Sequence, residues 1–244
     1  MKKLFVAFIF LFSIIQVSKA GEEIIRFDLK FGFIKGGEAH LIISDTLWND
    51  VKARRYYIEG RTTGFTDKLF GVNDVYETIV DYNTGLPLKS IRNIKEGKYK
   101  WYNETMFHHH IDSIHSKKSG WRAVPEDLLD IVSVFFYFIN NYLEDGLSQG
   151  IEVTFPTYHG DDINDVTVKY MGDQVVETSN GRVECYILTP VVDKGKVLKR
   201  SDGLKFFVSK DTKLPILLEF DMRVGALKAE MQSYQVDGKE HVFR

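Results

Sequence analysis

Between residues 25 and 33, Ile25, Phe27, Leu29, Phe31 and Phe33 alternate with Arg26, Asp28, Lys30 and Gly32. This is the two-residue period of a strand with one apolar face, whereas a helix would scatter these side chains around its circumference. Ala39, Leu41 and Ile43 restart the alternation after Gly36-Gly37, so the pattern predicts a hairpin that turns at the two glycines. Further strand-like runs cover residues 56–59, 75–82, 86–94, 99–107 and 111–115, with Glu96-Gly97 as one of the intervening turns. Strands this closely spaced pair antiparallel, because parallel neighbours need a crossover of a dozen residues or more.

After Pro125 the pattern changes. Twelve of the sixteen residues from 128 to 143 are apolar, a run too long for an ordinary strand, and it predicts a helix. Pro125 fits the first turn, and Glu126 and Asp127 lie where the helix dipole favours acids. A helix apolar nearly all round must be buried, and the concave face of the sheet is the simplest place for it. Asp130, Ser133 and Tyr137 form one narrow polar stripe on it, readable as a ligand-contacting seam or as groups bonded to backbone inside the fold. Strands resume beyond Gly150, with Val166, Val168 and Tyr170 on one face, Leu204, Phe206 and Val208 on another, and Ile216, Leu218, Phe220 and Met222 on a third. Asp81 to Pro87 and Asp211 to Pro215 share a turn signature in which Asp and Thr bond backbone amides and Pro starts the next strand. With no repeat and no linker, residues 21–244 are expected to form a single half-barrel domain. It is mainly β with one buried helix, a curled antiparallel sheet (an incomplete β-barrel) wrapped around that helix.

Residues 1–20 place the protein in a compartment. Lys2 and Lys3 precede an apolar stretch of about fourteen residues, and Ser18-Lys19-Ala20 puts small residues where a signal peptidase reads. The stretch is shorter than a bilayer span, so we expect a signal peptide, a mature chain from Gly21, and export to the periplasm of a Gram-negative bacterium. Removing it takes away three lysines and no acid, which leaves a mildly acidic protein. With 32 Lys+Arg against 34 Asp+Glu overall, there is no basic surplus for nucleic acid, and no integral membrane protein is expected. The single cysteine, Cys185, shares a strand face with Val183 and Ile187 and reads as a small core residue.

Several segments resemble, in order, the exported bacterial family catalogued as domain of unknown function 3108. They are Phe31-Gly32-Phe33-Ile34-Lys35-Gly36-Gly37-Glu38, the Asp81 to Pro87 turn with Ile94-Lys95-Glu96-Gly97-Lys98-Tyr99, and the Pro125, Asp130, Ser133, Tyr137 helix. Val208-Ser209-Lys210-Asp211 with Pro215, and Gly225-Ala226-Leu227-Lys228-Ala229-Glu230-Met231, complete the set. The resemblance covers nearly the whole mature chain. It implies a fold similar to the periplasmic lipoprotein carriers, an incompletely closed antiparallel barrel around helical plugs over an apolar cavity. This chain offers one strong helix where the carriers have several covering segments, and the family supplies no catalytic residue.

Candidate chemistry is sparse. His108 and His110 are expected on one strand face with His109 on the other and His115 nearby; Asp112 is the sole nearby acid to complete a metal site, and a solvated edge strand is the better reading. His159, Asp161, Asp162, Asn164 and Asp165 form an acidic loop without calcium-loop spacing. No nucleophile elbow, zinc-protease helix or phosphate loop is present, so neither a hydrolase nor any cofactor is expected. The leading expectation is a non-enzymatic envelope protein holding a lipid, acyl chain or lipidated protein in an apolar cavity. Its lining is taken as Trp101, Phe107, Asp130, Ser133, Phe135, Tyr137 and Phe138. The alternative is a module that docks envelope proteins without a small ligand.

Overall fold

The computed structural model describes residues 21–144, 146–178, 181–191, 203–223 and 225–241; the expected signal segment, residues 1–20, lies outside them. The described strands form one open sheet. Its first half runs β1 (Glu22–Phe31), β2 (Ile34–Trp48), β3 (Val51–Thr62), β4 (Asn73–Asp81), β5 (Pro87–Glu96), β6 (Tyr99–His108), β7 (Ser113–Ser116) and β8 (Gly120–Ala123). A short helix, α1 (Gly64–Leu69), joins β3 to β4. The second half comprises β9 (Leu129–Asp130), β10 (Glu152–His159), β11 (Asp162–Thr178), β12 (Gly181–Val191), β13 (Leu204–Ser209), β14 (Pro215–Met222) and β15 (Gly225–Val236), with β16 (Lys239–Glu240) appended to β15. The central helix, α2 (Ser133–Tyr142), follows β9.

Neighbouring strands are antiparallel, except β9 against β10, and mostly consecutive, and β1 against β15 stitches the halves together, with Ile25 opposite Tyr234 and Leu29 opposite Ala229. The two-residue period places Ile25, Phe27, Leu41, Ile43, Ile216 and Met231 in one core. Val166, Val168, Leu188 and Val208 lie in a second. α2 joins the two: Phe136 enters the first, while Val134, Phe138 and Ile139 enter the second. Each such buried side chain contributes roughly 1.5–3 kcal/mol. Beyond the helix, Tyr158 of β10 bonds to Asn103 and Thr105 of β6 at 2.9 Å each, drawing the second half of the sheet against the first. Among the described residues no helix is long and apolar enough to cross a membrane.

Three local expectations are corrected. The first hairpin turns at Gly32-Phe33, not at Gly36-Gly37. Gly32 takes φ +59°, the left-handed region that glycine enters without strain. Phe33 is consequently exposed, while Gly36 sits at an irregularity inside β2. Gly37 is required for another reason: a Cβ there would stand 2.4 Å from the Arg61 carbonyl oxygen. The predicted helix over residues 128–143 begins only at Ser133. Leu129 and Asp130 instead pair in parallel with Thr157 and Tyr158, and Leu128 is buried in a third cluster with Phe107, Ile114 and Tyr158. Pro125, Glu126 and Asp127 therefore precede the helix by more than a turn. The predicted strand over residues 111–115 is a 3-10 turn, His109–Ile111, followed by β7. Cys185 is fully buried, and burial pushes its thiol up to about 12.

Candidate functional site

A cavity of about 410 Å³ lies between α2 and the concave face of the sheet, within the range of small-molecule pockets. Its wall is set by the inward positions of β1–β3, including Phe27, Leu29, Leu41 and Ile58, and of β13–β15, including Phe206, Leu218, Phe220 and Leu227. Ile131 and Val132, ahead of α2, and its Phe135 and Phe136 form the other side. Apart from His40 and Tyr76, every lining side chain is apolar. The space has a sequence cause: Ala39 and Gly60 face each other across β2 and β3, and a Cβ on Gly60 would meet nothing within 4 Å. The helix does not fill the gap, so Leu29, Ile58 and Leu218 stay only partly buried. At the inner end Phe136 stacks on Tyr56.

Phe135 and Phe206, ring centroids 4.8 Å apart, separate this cavity from a second apolar one of about 130 Å³ lined by Val166, Val168 and Leu188. Toward the other end, the inward row Phe27, Leu29, Phe31 leads to a rim. There Phe31 rests its ring over Gly225, and Phe33 and Ile34 at the hairpin tip are exposed. α1 sits beside the hairpin, Thr63 N–H donating to the Gly36 carbonyl, and its Phe65 and Leu69 are exposed.

A polar layer occupies the flank of the cavity. Asp130 is fully buried: its Oδ2 accepts from Thr78 Oγ1 at 2.5 Å, and its Oδ1 accepts the Val132 and Ser133 amides at 3.0 and 2.6 Å. Burial pushes its carboxyl above the usual range, opposed by those bonds. Tyr76, Arg92, Trp101 and His159 line a small space beside it, and burial, with the charge of Arg92, pushes His159 down to about 4.

Of the residues expected to line an apolar cavity, Phe135 alone stands in the wall of the large one. Trp101 and Asp130 border the polar space. Phe107 belongs to the third core cluster, and Phe138 is fully buried on the side of α2 that packs on β10–β13. Ser133 and Tyr137 face a mixed pocket of about 250 Å³ with Arg54, Tyr56 and Asn140. Ser133 also donates its amide to Asp130 and accepts the Asp130 amide on its hydroxyl, so the stripe at the helix start satisfies backbone. The histidines follow the corrected turn: His108 and His115 flank Trp121 at 4.7 and 5.0 Å, and His110 meets His108 edge-on. In the acidic loop, Asp161 accepts from Tyr158, Ser116 and Ser119 at 2.8, 2.7 and 3.0 Å and lies 3.6 Å from Arg122. The sheet residues of the wall were marked as inward by their alternation. That they border empty space rather than core had no local signal.

The structure is similar to the crystal structure of a β-barrel-like protein of domain of unknown function DUF1849 from Brucella abortus, with a TM-score of 0.58 at 10% identity, covering 91% of this chain and 99% of that one. A DUF1089 family protein from Pseudomonas aeruginosa aligns over 88% of this chain and 95% of its own at 7% identity, with a TM-score of 0.32. No curated protein matches. The family model described as "Protein of unknown function (DUF3108)" matches residues 26–232, and the chain belongs to that family.

Proposed function

We propose that the protein is a non-enzymatic cell-envelope protein that binds an apolar ligand (a lipid, an acyl chain or the acyl part of a lipidated protein) in the cavity between sheet and helix. The observation that carries this reading is the cavity of about 410 Å³, apolar on nearly every side. A packed interior leaves few voids larger than a water molecule, so a space of this size needs an occupant or a purpose. The curled sheet around α2 supports a likeness to the periplasmic lipoprotein carriers, and the exposed Phe31, Phe33 and Ile34 offer an apolar entrance. Residues 1–20 serve in this reading as the export signal, and protein from the periplasmic fraction should have the intact mass of a chain starting at Gly21.

The test is native mass spectrometry after incubation with envelope lipid extract, on the natural protein and on Gly60→Leu. Gly60 lines the cavity and a Cβ there would meet nothing within 4 Å, so a leucine side chain starts in open space and takes up part of the cavity. The natural protein should retain lipid adducts and Gly60→Leu should lose them while keeping its melting temperature. Absence of adducts on the natural protein overturns the reading.

A further inference from the structure

Arg92 faces the inside of the sheet. It pairs with Tyr76 of β4 on one side and Asn103 of β6 on the other, and Asn103 is 2% exposed, so the three side chains share the concave face. Its guanidinium lies 4.6 Å from the ring centroid of Trp101 and 5.7 Å from that of Tyr76, and its Nε donates to the Tyr76 hydroxyl at 3.3 Å. Among the described residues no carboxylate forms an ion pair with it. Glu96 of the same strand feels its charge without forming an ion pair with it. A guanidinium has five N–H donors in a planar fork that suits carboxylates, and most of those of Arg92 are uncommitted.

His159 stands beside it. Its ring is nearly parallel to Tyr76 at 6.4 Å, and its Nδ1 is buried without a hydrogen-bond partner. Arg92 Nη1 reaches the adjacent Gly160, 3.6 Å from where a Cβ there would sit. Between Arg92, Trp101, Tyr76 and His159 the open space is about 20 Å³, room for one oxygen of the size of a water. Tyr76, Ile131 and Val132 border both this space and the apolar cavity. A cation without an ion pair among the described residues and a buried imidazole nitrogen without a hydrogen-bond partner thus adjoin the apolar cavity, with the Asp130 carboxyl bordering the same space.

We propose that this is a head-group site: Arg92, assisted by His159, binds the carboxylate of a long-chain fatty acid whose hydrocarbon tail occupies the apolar cavity. It rests on the carrier reading above and adds the ligand's chemical class. A space this small favours the carboxylate, two oxygens in one plane of which one would enter it, over a phosphate, which would bring three oxygens around a tetrahedral centre.

The experiment is calorimetric titration of the natural protein, Arg92→Gln and Arg92→Lys with dodecanoate, methyl dodecanoate and dodecyl phosphate, with melting temperatures recorded in parallel. The natural protein should bind the acid at least about ten-fold more tightly than the ester, the gain from charge-assisted hydrogen bonds, and prefer it to the phosphate. Arg92→Gln should erase the preference and leave the ester affinity unchanged, while Arg92→Lys keeps most of it. Damage to the fold alone would weaken acid and ester together. Equal binding of acid and ester by the natural protein, a preference that survives Arg92→Gln, or stronger binding of the phosphate overturns the head-group site and leaves the carrier reading standing. No binding of any of the three overturns both.

Discussion

Thr78 of β4 donates to the buried carboxyl of Asp130 at 2.5 Å, tying the start of the helix to a strand 52 positions earlier in the chain. The same carboxyl accepts two backbone amides at the entry to α2. One side chain therefore caps the helix and fixes where it enters the sheet, which in turn sets the position of Val132, Phe135 and Phe136 against the cavity.

Asp130→Ala should be strongly destabilising, because it leaves two buried amides and the Thr78 hydroxyl without their acceptor. A loss of about 1–3 kcal/mol is expected, read as a lower urea midpoint. Asp130→Asn keeps an acceptor for the amides and turns a donor toward the Thr78 oxygen, so it should be much milder. Equal losses in both variants would show that the carboxyl does not act through these bonds.

The same pair gives a pH test. Burial raises the folded-state pKa of Asp130 above its ordinary 3.8. Its contribution is fully present below that value and is lost as pH rises through the raised folded value. Asn does not titrate, so Asp130→Asn should gain stability relative to the natural protein as pH increases from about 4 toward neutrality. A stability difference constant with pH would contradict the raised carboxyl.

His159 works in the opposite sense. Its folded-state value of about 4 lies below the ordinary 6.5, so the unfolded chain binds more protons between them. Stability is fully present above 6.5 and is lost as pH falls toward 4, by at most about 3 kcal/mol. His159→Gln should flatten the melting temperature across that window, and an unchanged slope would place the pH dependence elsewhere.

Phe135 divides the two apolar cavities. Phe135→Ala should lower stability by about 2–4 kcal/mol through the enlarged void, yet join the spaces and admit longer chains. The check is the acyl length of co-purified or titrated ligand, and an unaltered length preference would mean that the spaces do not communicate through this ring.

Gly37→Ala should cost about 1–3 kcal/mol because the methyl group is driven into the Arg61 carbonyl, whereas Gly60→Ala, on an open stretch of the same sheet, should be near neutral. The urea midpoints of the two variants decide it, and a harmless Gly37→Ala would deny the close approach of β2 and β3.

Strand identity was legible in the sequence because the pleat sends successive side chains to opposite faces, and a sheet with one buried face writes that period directly. Ile25, Phe27, Leu41 and Ile43 lie where their alternation put them. So does Cys185, and the Asp81 turn closes as its chemistry implied, with Asp81 Oδ1 accepting the Asn83 and Thr84 amides at 2.9 Å. Apolar content alone could not separate helix from strand in residues 128–143. Leu128 and Leu129 are buried by an extended segment held by Thr157 and Tyr158 of β10, a pairing outside any local window. The first hairpin turned on which glycine had to take a positive φ and which had to admit a neighbouring backbone. Gly36 and Gly37 look the same as turn formers until β3 is laid beside them. The cavity was least legible of all, since empty space arises from what does not meet: small residues at Ala39 and Gly60 on β2 and β3, a helix that starts late at Ser133, and Leu218 and Phe220 arriving from the far end of the chain. Periodicity is a property of the backbone and can be read along the sequence, whereas a void is a sum of distances between segments and exists only once the sheet has curled.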